Sequence, residues 1–415
     1  MNIHPFLQQL LAGQAVEWKP LGEICQISNT GVDKKIHEHE NKVRLLNFVD
    51  VFKNQYLTND TPAMITTAND RKVIDCNILQ GDIFVTPSSE VIDEIGQSAM
   101  AVENIDNAVY SYHIMRLRIH DKSLVYPPFL NYLFQSDDLR RQIRANAQGM
   151  TRFGLTQPKW KALQIPIPPL SVQTKIVQIL DAFTAHTAEL TAELTAELTA
   201  RKKQYDYYRD QLLSFEDGEV ECKTLGEVSD IYDSLHQTPQ YADNGLSMIR
   251  VTDIKGGYVN LEETLKVNNA VFAAFTKKYL PQKNDLVMSR VGSYGNVGLI
   301  PADDSACMGQ NTVVIHPLIN NKYLFHILVS NIGQQFIEKN VDGGNQKTLS
   351  LKSIRAIPIP LVSEEEQERI ATILDKFDAL TNSITEGLPR EIALRQKQYA
   401  YYRDLLLSFP TPEGV

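Results

Sequence analysis

From Ser171 to Phe215 apolar residues recur mostly three or four positions apart, at Ile176, Ile179, Leu180, Phe183, Leu190, Leu194 and Leu198, with no glycine or proline among them. That spacing gathers them on one face of an α-helix, and the many Ala, Leu and Glu residues favour it. Inside this stretch a four-residue unit is written three times: Thr187-Ala-Glu-Leu190, Thr191-Ala-Glu-Leu194 and Thr195-Ala-Glu-Leu198. A continuous helix here spans about 65 Å, the length of a spacer rod rather than of an ordinary domain helix. Each unit adds about 6 Å and turns whatever follows it by about 40°. Elsewhere the apolar runs are short and strand-like, bounded by turn residues, at Val43–Val51, Asp82–Thr86, Ser111–Ile119, Ser247–Val251, Asp285–Arg290 and Thr312–His316. Helical spacing returns near residues 127–146 and 322–340.

The pattern is written twice along nearly the whole chain. Val16-Glu-Trp-Lys-Pro-Leu-Gly-Glu-Ile24 returns as Val220-Glu-Cys-Lys-Thr-Leu-Gly-Glu-Val228, and Ile165-Pro-Ile-Pro168 returns as Ile357-Pro-Ile-Pro360. Leu46–Val51 answers Ile249–Ile254, Gly81–Val85 answers Asn284–Met288, and Ile179–Phe183 answers Ile373–Phe377. Gln204-Tyr-Asp-Tyr-Tyr-Arg-Asp210 answers Gln398-Tyr-Ala-Tyr-Tyr-Arg-Asp404. Each repeat is thus a mixed α/β part followed by a long helical part. Leu180 to Tyr205 and Leu374 to Tyr399 are both 25 positions, which invites antiparallel pairing of the two helices. Ser363-x-x-Glu366 reads as a capping box that starts the second helix, and Gly387 with Pro389 should kink or break it. Phe6–Leu11 resembles the tail of a helical unit, so the two chain ends are expected to be neighbours in a nearly circular arrangement.

Composition adds bounds. The chain has 415 residues and a net charge of −9, enough for two or more domains and against a uniformly basic nucleic-acid binder. The longest apolar run, Ala270–Phe275, is far short of a membrane span. The start lacks a signal-peptide pattern, and Cys25, Cys76, Cys222 and Cys307 lie too far apart to suggest zinc or a disulfide framework, so a cytoplasmic location is expected.

Local charge changes that picture. No acidic residue occurs from Leu139 to Leu180, while Arg140, Arg141, Arg144, Arg152, Lys159, Lys161 and Lys175 do, with Thr151 and several amides between them. Such a patch suits DNA phosphates and base edges. The second repeat has a sparser counterpart in Lys339, Lys347, Lys352 and Arg355. The loop Arg290-Val-Gly-Ser-Tyr-Gly-Asn-Val-Gly298 offers Arg290, Ser293, Tyr294 and Asn296; its counterpart, Pro87-Ser-Ser-Glu90, offers Ser88 and Ser89. Tyr112-His113 and Gln310-Asn311 hold matching places beside strands and complete the candidate DNA-binding set.

No catalytic or metal constellation is evident. Tyr126-Pro-Pro-Phe129 lacks the polar residue that an adenine methyltransferase tetrapeptide places before its prolines, and reads as a helix start. Glu17-x-Lys19 and Glu221-x-Lys223 recur at the start of both repeats and read as framework rather than as a nuclease motif. Gly344-Asn-Gln-Lys-Thr348 lacks the Gly-Lys step of a P-loop, and His37-x-His39 has no clear further ligand.

Together, the twofold repeat, the Ile-Pro-Ile-Pro lead into each helix, the closing Tyr-Tyr-Arg-Asp and the Thr-Ala-Glu-Leu array resemble the specificity subunits of type I restriction–modification enzymes, over all 415 residues. The array resembles that of one subgroup of the family. The resemblance implies an α/β (α+β) fold of two target recognition domains, residues 17–164 and 221–356, separated by two long antiparallel coiled-coil helices in a pseudo-twofold repeat. Residues 165–220 and 357–415 would be the helical regions, and residues 1–16 an N-terminal helical segment packing with them. It further implies that each domain reads half of an asymmetric bipartite site on double-stranded DNA. The chain would be non-catalytic and without a cofactor of its own. Two modification subunits would dock on the helices, and restriction subunits would join them. A self-contained DNA methyltransferase and a coiled-coil scaffold are the competing readings; the first lacks a cofactor loop, and the basic stretch from 139 to 180 counts against the second.

Overall fold

The long apolar stripe folds as one continuous 44-residue helix, Leu170–Leu213, in the computed structural model. The structure describes residues 5–216, 218, 220–343, 347–382 and 387–410. The chain divides into two compact units, Met1–Glu189 with Arg395–Val415, and Leu190–Leu394. The division falls inside the Thr-Ala-Glu-Leu array.

Both units use one sheet plan. In the first, a five-stranded sheet runs Cys25–Ser28, Met115–Ile119, Ile83–Val85, Ser98–Ala101, Tyr56–Leu57. In the second, the same order is Ser229–Asp233, Thr312–Pro317, Leu286–Ser289, Val297–Leu299, Gly257–Val259, with Ile254–Lys255 added at the edge. A three-stranded sheet accompanies each: Met64–Ala68, Asn41–Leu46, Ala108–Tyr110 in the first, and Leu265–Val267, Leu246–Ile249, Ala306–Met308 in the second. Paired helices follow, Pro127–Leu133 and Asp137–Asn146, then Asn321–Val329 and Asn331–Lys339. Each Ile-Pro-Ile-Pro tract is extended and pairs with the start of its own repeat, Glu17 opposite Ile167 and Glu221 opposite Leu361. The Glu-x-Lys residues there are ion-paired to each other, at 3.3 Å and 3.8 Å.

Two strand expectations change. The run Val43–Val51 ends as a strand at Leu46, because the Asn47 side chain accepts from Val49 N and Asp50 N while Asp50 accepts from Asn47 N; this capping box starts a helix over Phe48–Lys53. Arg250 N donates to Asp253 in the same way in the second unit, opening a short 3-10 turn. Of Ser111–Ile119 only Met115–Ile119 is a strand; Ser111 makes an isolated bridge to Val32.

The second helical region is two helices, Glu364–Asn382 and Gly387–Leu407. Gly387 has φ +76°, and a Cβ there would meet the carbonyls of Ala379 and Leu380 at 2.5 and 2.6 Å, so the start of the second of these helices needs glycine. Ser363 caps the first of them through Glu366 N, but the Glu366 carboxylate turns to Arg369 instead of closing the box. In the first unit Phe183 packs tilted against Tyr402, with ring centroids 5.9 Å apart, and Thr184 bonds Tyr399; in the second Tyr208 stacks on Phe377. Each contact joins the beginning of one repeat's helix to the end of the other's, which is antiparallel pairing within each unit. The chain ends meet as well: Trp18 Nε1 donates to the Pro410 carbonyl at 2.9 Å, and Leu7 and Leu11 share a core with Leu406, Leu407 and Phe409. Residues 411–415 of the expected junction lie outside the described residues.

Matching carboxylates anchor each α/β part to its helix. Asp181 accepts from Tyr56 and Tyr132 at 2.6 and 2.7 Å; burial first, then these bonds, push both phenols above the usual tyrosine pKa (for Tyr132 the Thr184 bond opposes the rise). Asp375, its counterpart, accepts from His326 Nε2 at 3.0 Å and from Lys322. Burial works to raise the Asp375 pKa, but the donations from His326 and Lys322 outweigh it and hold the carboxyl below its ordinary value. A lowered folded pKa contributes stability that is complete above the unfolded aspartate value of about 4 and is lost as pH falls through the folded value. Urea unfolding of the native chain and of Asp375→Asn should therefore differ at neutral pH and converge in acid. A gap between them that persists undiminished at pH about 3 would refute the pairing.

Candidate nucleic-acid interface

At one end of each sheet the two repeats build the same loop. Gln148 N and Gly154 N each donate to the other's carbonyl at 2.9 Å, closing residues 149–153 into a tight excursion. Asp342 and Thr348 exchange the same pair of bonds, at 3.0 and 2.7 Å. Each closed loop pairs with the segment that follows the central strand, Gly154 with Ser88 and Thr348 with Val291. The equivalence of Pro87–Glu90 with the glycine-rich loop is thus present in the backbone pairing. Gly344, Asn345 and Gln346 lie outside the described residues.

The loops present cations. Arg152 is exposed and donates to Ser88 Oγ at 3.0 Å and to the Ser88 carbonyl at 3.3 Å. Lys347 is exposed and lies 5.8 Å from the Tyr294 ring centroid. Among the described residues neither has a carboxylate partner. Thr151 is exposed beside Arg152, and Met150 at the loop apex is 96 % exposed. Tyr112 and His113 are exposed with ring centroids 4.0 Å apart, and Gln310 occupies the matching exposed place. Ser293 and Asn296 are exposed on the glycine-rich loop and Lys352 on the helix Leu351–Arg355.

Other members of the sequence-derived set are placed elsewhere. Arg140 is buried and donates to the Ile95 and Asp93 carbonyls; burial lowers its pKa. Arg144 pairs with Asp93, and Arg141 with Asp137 and Asp138 on its own helix. The stretch is free of acids in sequence but not in space, and these three arginines correct the reading of 139–180 as one basic surface. Lys159 is half-buried and donates to the Asn146 carbonyl at 3.1 Å. Arg290 pairs with Asp233 at 2.7 Å and donates to the Leu349 carbonyl, so it fastens the glycine-rich loop to the closed loop. Asn311, with φ +67°, holds Arg290 N through its carbonyl. Ser89 is buried against Glu94.

A cavity of about 450 Å³ opens beside the first closed loop, with Phe48 and Val91 as apolar wall and Ser89, Glu90, Glu94, His113 and Arg152 as polar lining. Phe48 and Glu90 were not in the sequence-derived set: Phe48 was assigned to a strand, and an acid is a poor candidate on composition alone. The capping pair Asn47 and Asp50 is the signal that would have turned Phe48 toward the surface. Among the described residues no helix is long and apolar enough to cross a membrane, and no three His, Cys, Asp or Glu gather as a metal site.

A family model described as the type I restriction modification DNA specificity domain matches residues 15–200 and 218–394. The chain belongs to the type I specificity-subunit family. It is 35 % identical to the type I restriction enzyme EcoR124I/EcoR124II specificity subunit of Escherichia coli, covering all of both chains. It is 32 % identical to the putative specificity subunit S.HindORF215P of Haemophilus influenzae, over 98 % of this chain and 99 % of that one. In fold it is similar to a chain from a solved type I R-M system, with a TM-score of 0.63 at 16 % identity over 98 % and 99 % of the two chains. It is also similar to the HsdS subunit from Thermoanaerobacter tengcongensis, with a TM-score of 0.51 at 16 % identity over 95 % and 96 %. As a specificity subunit the chain recognises DNA sequence for a type I restriction–modification complex and is itself non-catalytic.

Proposed function

We propose that residues 17–164 and 221–356 are two target recognition domains, each reading one half of an asymmetric, bipartite site on double-stranded DNA. The observation that carries this is the pair of closures, Gln148 with Gly154 and Asp342 with Thr348, each beside a cation that has no carboxylate partner among the described residues, Arg152 and Lys347. Ser88, Thr151, Tyr112 and His113 would act with Arg152; Ser293, Tyr294, Asn296, Gln310 and Lys352 would act with Lys347. The loops differ in sequence while their closure does not, which fits two unlike half-sites read from one frame. The helical regions, 165–220 and 357–415 with the segment 1–16, set the gap between half-sites, and the Thr-Ala-Glu-Leu array supports membership of a subgroup whose gap follows repeat number.

The same regions dock two modification subunits. Tyr207 and Tyr401 hold equivalent places and are 61 % and 62 % exposed, so each unit offers the same aromatic surface to one copy of a partner. Restriction subunits join that assembly, in the cytoplasm.

Co-expression with the cognate modification subunit, followed by genome-wide mapping of N6-methyladenine, tests the reading. The expected motif is bipartite and asymmetric with a fixed gap. A single continuous motif, or methylation independent of this chain, would overturn it. Two arginines separate frame from reader. Arg140→Ala should lower stability by about 2 kcal/mol, because the buried Ile95 carbonyl and the Asp93 carbonyl lose their donor. Arg152→Ala should leave the unfolding midpoint unchanged and weaken binding of the assembled complex to its DNA site about tenfold, read by titration at fixed salt.

A further inference from the structure

The cavity beside the first closed loop is lined by two carboxylates, Glu90 and Glu94, and by Arg152; Glu94 accepts from Ser89, which leaves Glu90 and Arg152 as opposite charges that do not pair with each other. Glu90 is exposed, and among the described residues it makes no hydrogen bond or ion pair. Arg152 faces the same cavity from the other segment, held by Ser88 two residues before Glu90. Both are therefore positioned by backbone pairing between Ser88–Ser89 and Phe153–Gly154; Ser88 engages Nε and Nη2 of Arg152 and leaves Nη1 to donate elsewhere.

A carboxylate on a DNA-facing surface is repelled by the phosphates and weakens binding. It is favourable there only where a base offers it a donor. In the major groove that donor is the amino group of cytosine, or of adenine, and an arginine beside it finds its best acceptors on guanine O6 and N7. One base pair offers a cytosine amino group next to guanine O6 and N7. Phe48 and Val91 supply an apolar wall that sheds water from the pair and strengthens both contacts.

We infer that the first unit reads a cytosine–guanine base pair, Glu90 accepting from the cytosine amino group and Arg152 donating to the guanine. This rests on the proposed role of the unit as a DNA reader. Glu90 is a specificity residue, not an affinity residue: its removal relaxes the choice of base and strengthens non-specific binding.

The complete complex, assembled with its modification subunit, provides the test. Methylation motifs are mapped for the native chain, Glu90→Gln and Arg152→Lys, with a melting curve for each to verify folding, and with Lys347→Ala to mark the half-site read by the other unit. Glu90→Gln should lower discrimination at one C·G position by about tenfold or more and leave the other half-site intact. Arg152→Lys should relax that same position. Full discrimination by Glu90→Gln, or relaxation at an A·T position, overturns the inference while leaving the two-reader model standing. A native chain that specifies no bipartite motif removes the two-reader model, and this inference with it.

Discussion

Gln173→Ala is expected to shift the tryptophan-fluorescence unfolding transition to lower urea, with a loss of about 3–4 kcal/mol. Gln173 is fully buried at the first turns of the long helix. Its Oε1 accepts from Tyr126 N at 2.8 Å, and its Nε2 donates to the Leu124 and Pro168 carbonyls at 2.9 and 2.7 Å. One amide thus satisfies the start of the helix Pro127–Leu133 and the exit of the Ile-Pro-Ile-Pro tract together. Alanine would orphan the buried Pro168 carbonyl together with the half-buried Tyr126 N–H and Leu124 carbonyl, the buried group costing about 1–3 kcal/mol and the other two less where water reaches them. Both tryptophans, Trp18 and Trp160, lie in the first unit, so their emission follows that unit alone. Gln367 is its counterpart, with Oε1 accepting from Asn320 N at 3.1 Å and Nε2 donating to the Val362 carbonyl at 2.9 Å. Having one bond fewer, Gln367→Ala should cost less, about 2 kcal/mol, followed by hydrogen exchange of the second unit. Equal losses at the two positions would contradict the hydrogen-bond account; Gln173→Met, which keeps the volume, should remain as damaging as alanine.

The repeat that carries these two glutamines was legible before any fold was known. Gln173 and Gln367 keep their distance from Asp181 and Asp375, because both belong to a helix whose buried face must meet the same neighbours in each unit. Framework of this kind is fixed by local spacing, and local spacing is what a sequence exposes. The candidate site was less legible for the opposite reason. Arg140 and Arg144 look like DNA ligands in a run free of acids, yet Asp93, far away in the chain, neutralises one and lends its carbonyl to the other. Arg152 differs from them only in where the closed loop carries it, and that closure depends on backbone pairs that leave no trace in side-chain pattern. The helix Phe48–Lys53 was hidden in an apolar run that reads equally well as a strand until Asn47 is recognised as its cap. Glu90 was passed over because charge alone counts it against DNA binding; only its place beside Arg152 gives it a use.

Deletion of Thr191–Leu194 should change the recognised gap and nothing else. No residue of the long helix between Leu180 and Tyr205 belongs to the buried core, and the array's leucines are half-buried at most. The threonine hydroxyls bond within their own helix, Thr195 to the Thr191 carbonyl and Thr199 to the Thr195 carbonyl. Removing one unit therefore removes no core contact, and the unfolding midpoint should stay within about 0.5 kcal/mol of the native value. The helix shortens by about 6 Å and loses about 40° of rotation. Along DNA, 6 Å is nearer two base-pair rises of about 3.4 Å, whereas 40° is nearer the single step of about 35°. Translation and rotation thus ask for different corrections, and the gap should contract by one or two base pairs, with one value dominant in the methylation map. Both half-sites should read as before, because no residue of either closed loop has changed. An unchanged gap would mean that the array is not the spacer; altered half-sites would mean that the helix shapes the reading surfaces directly.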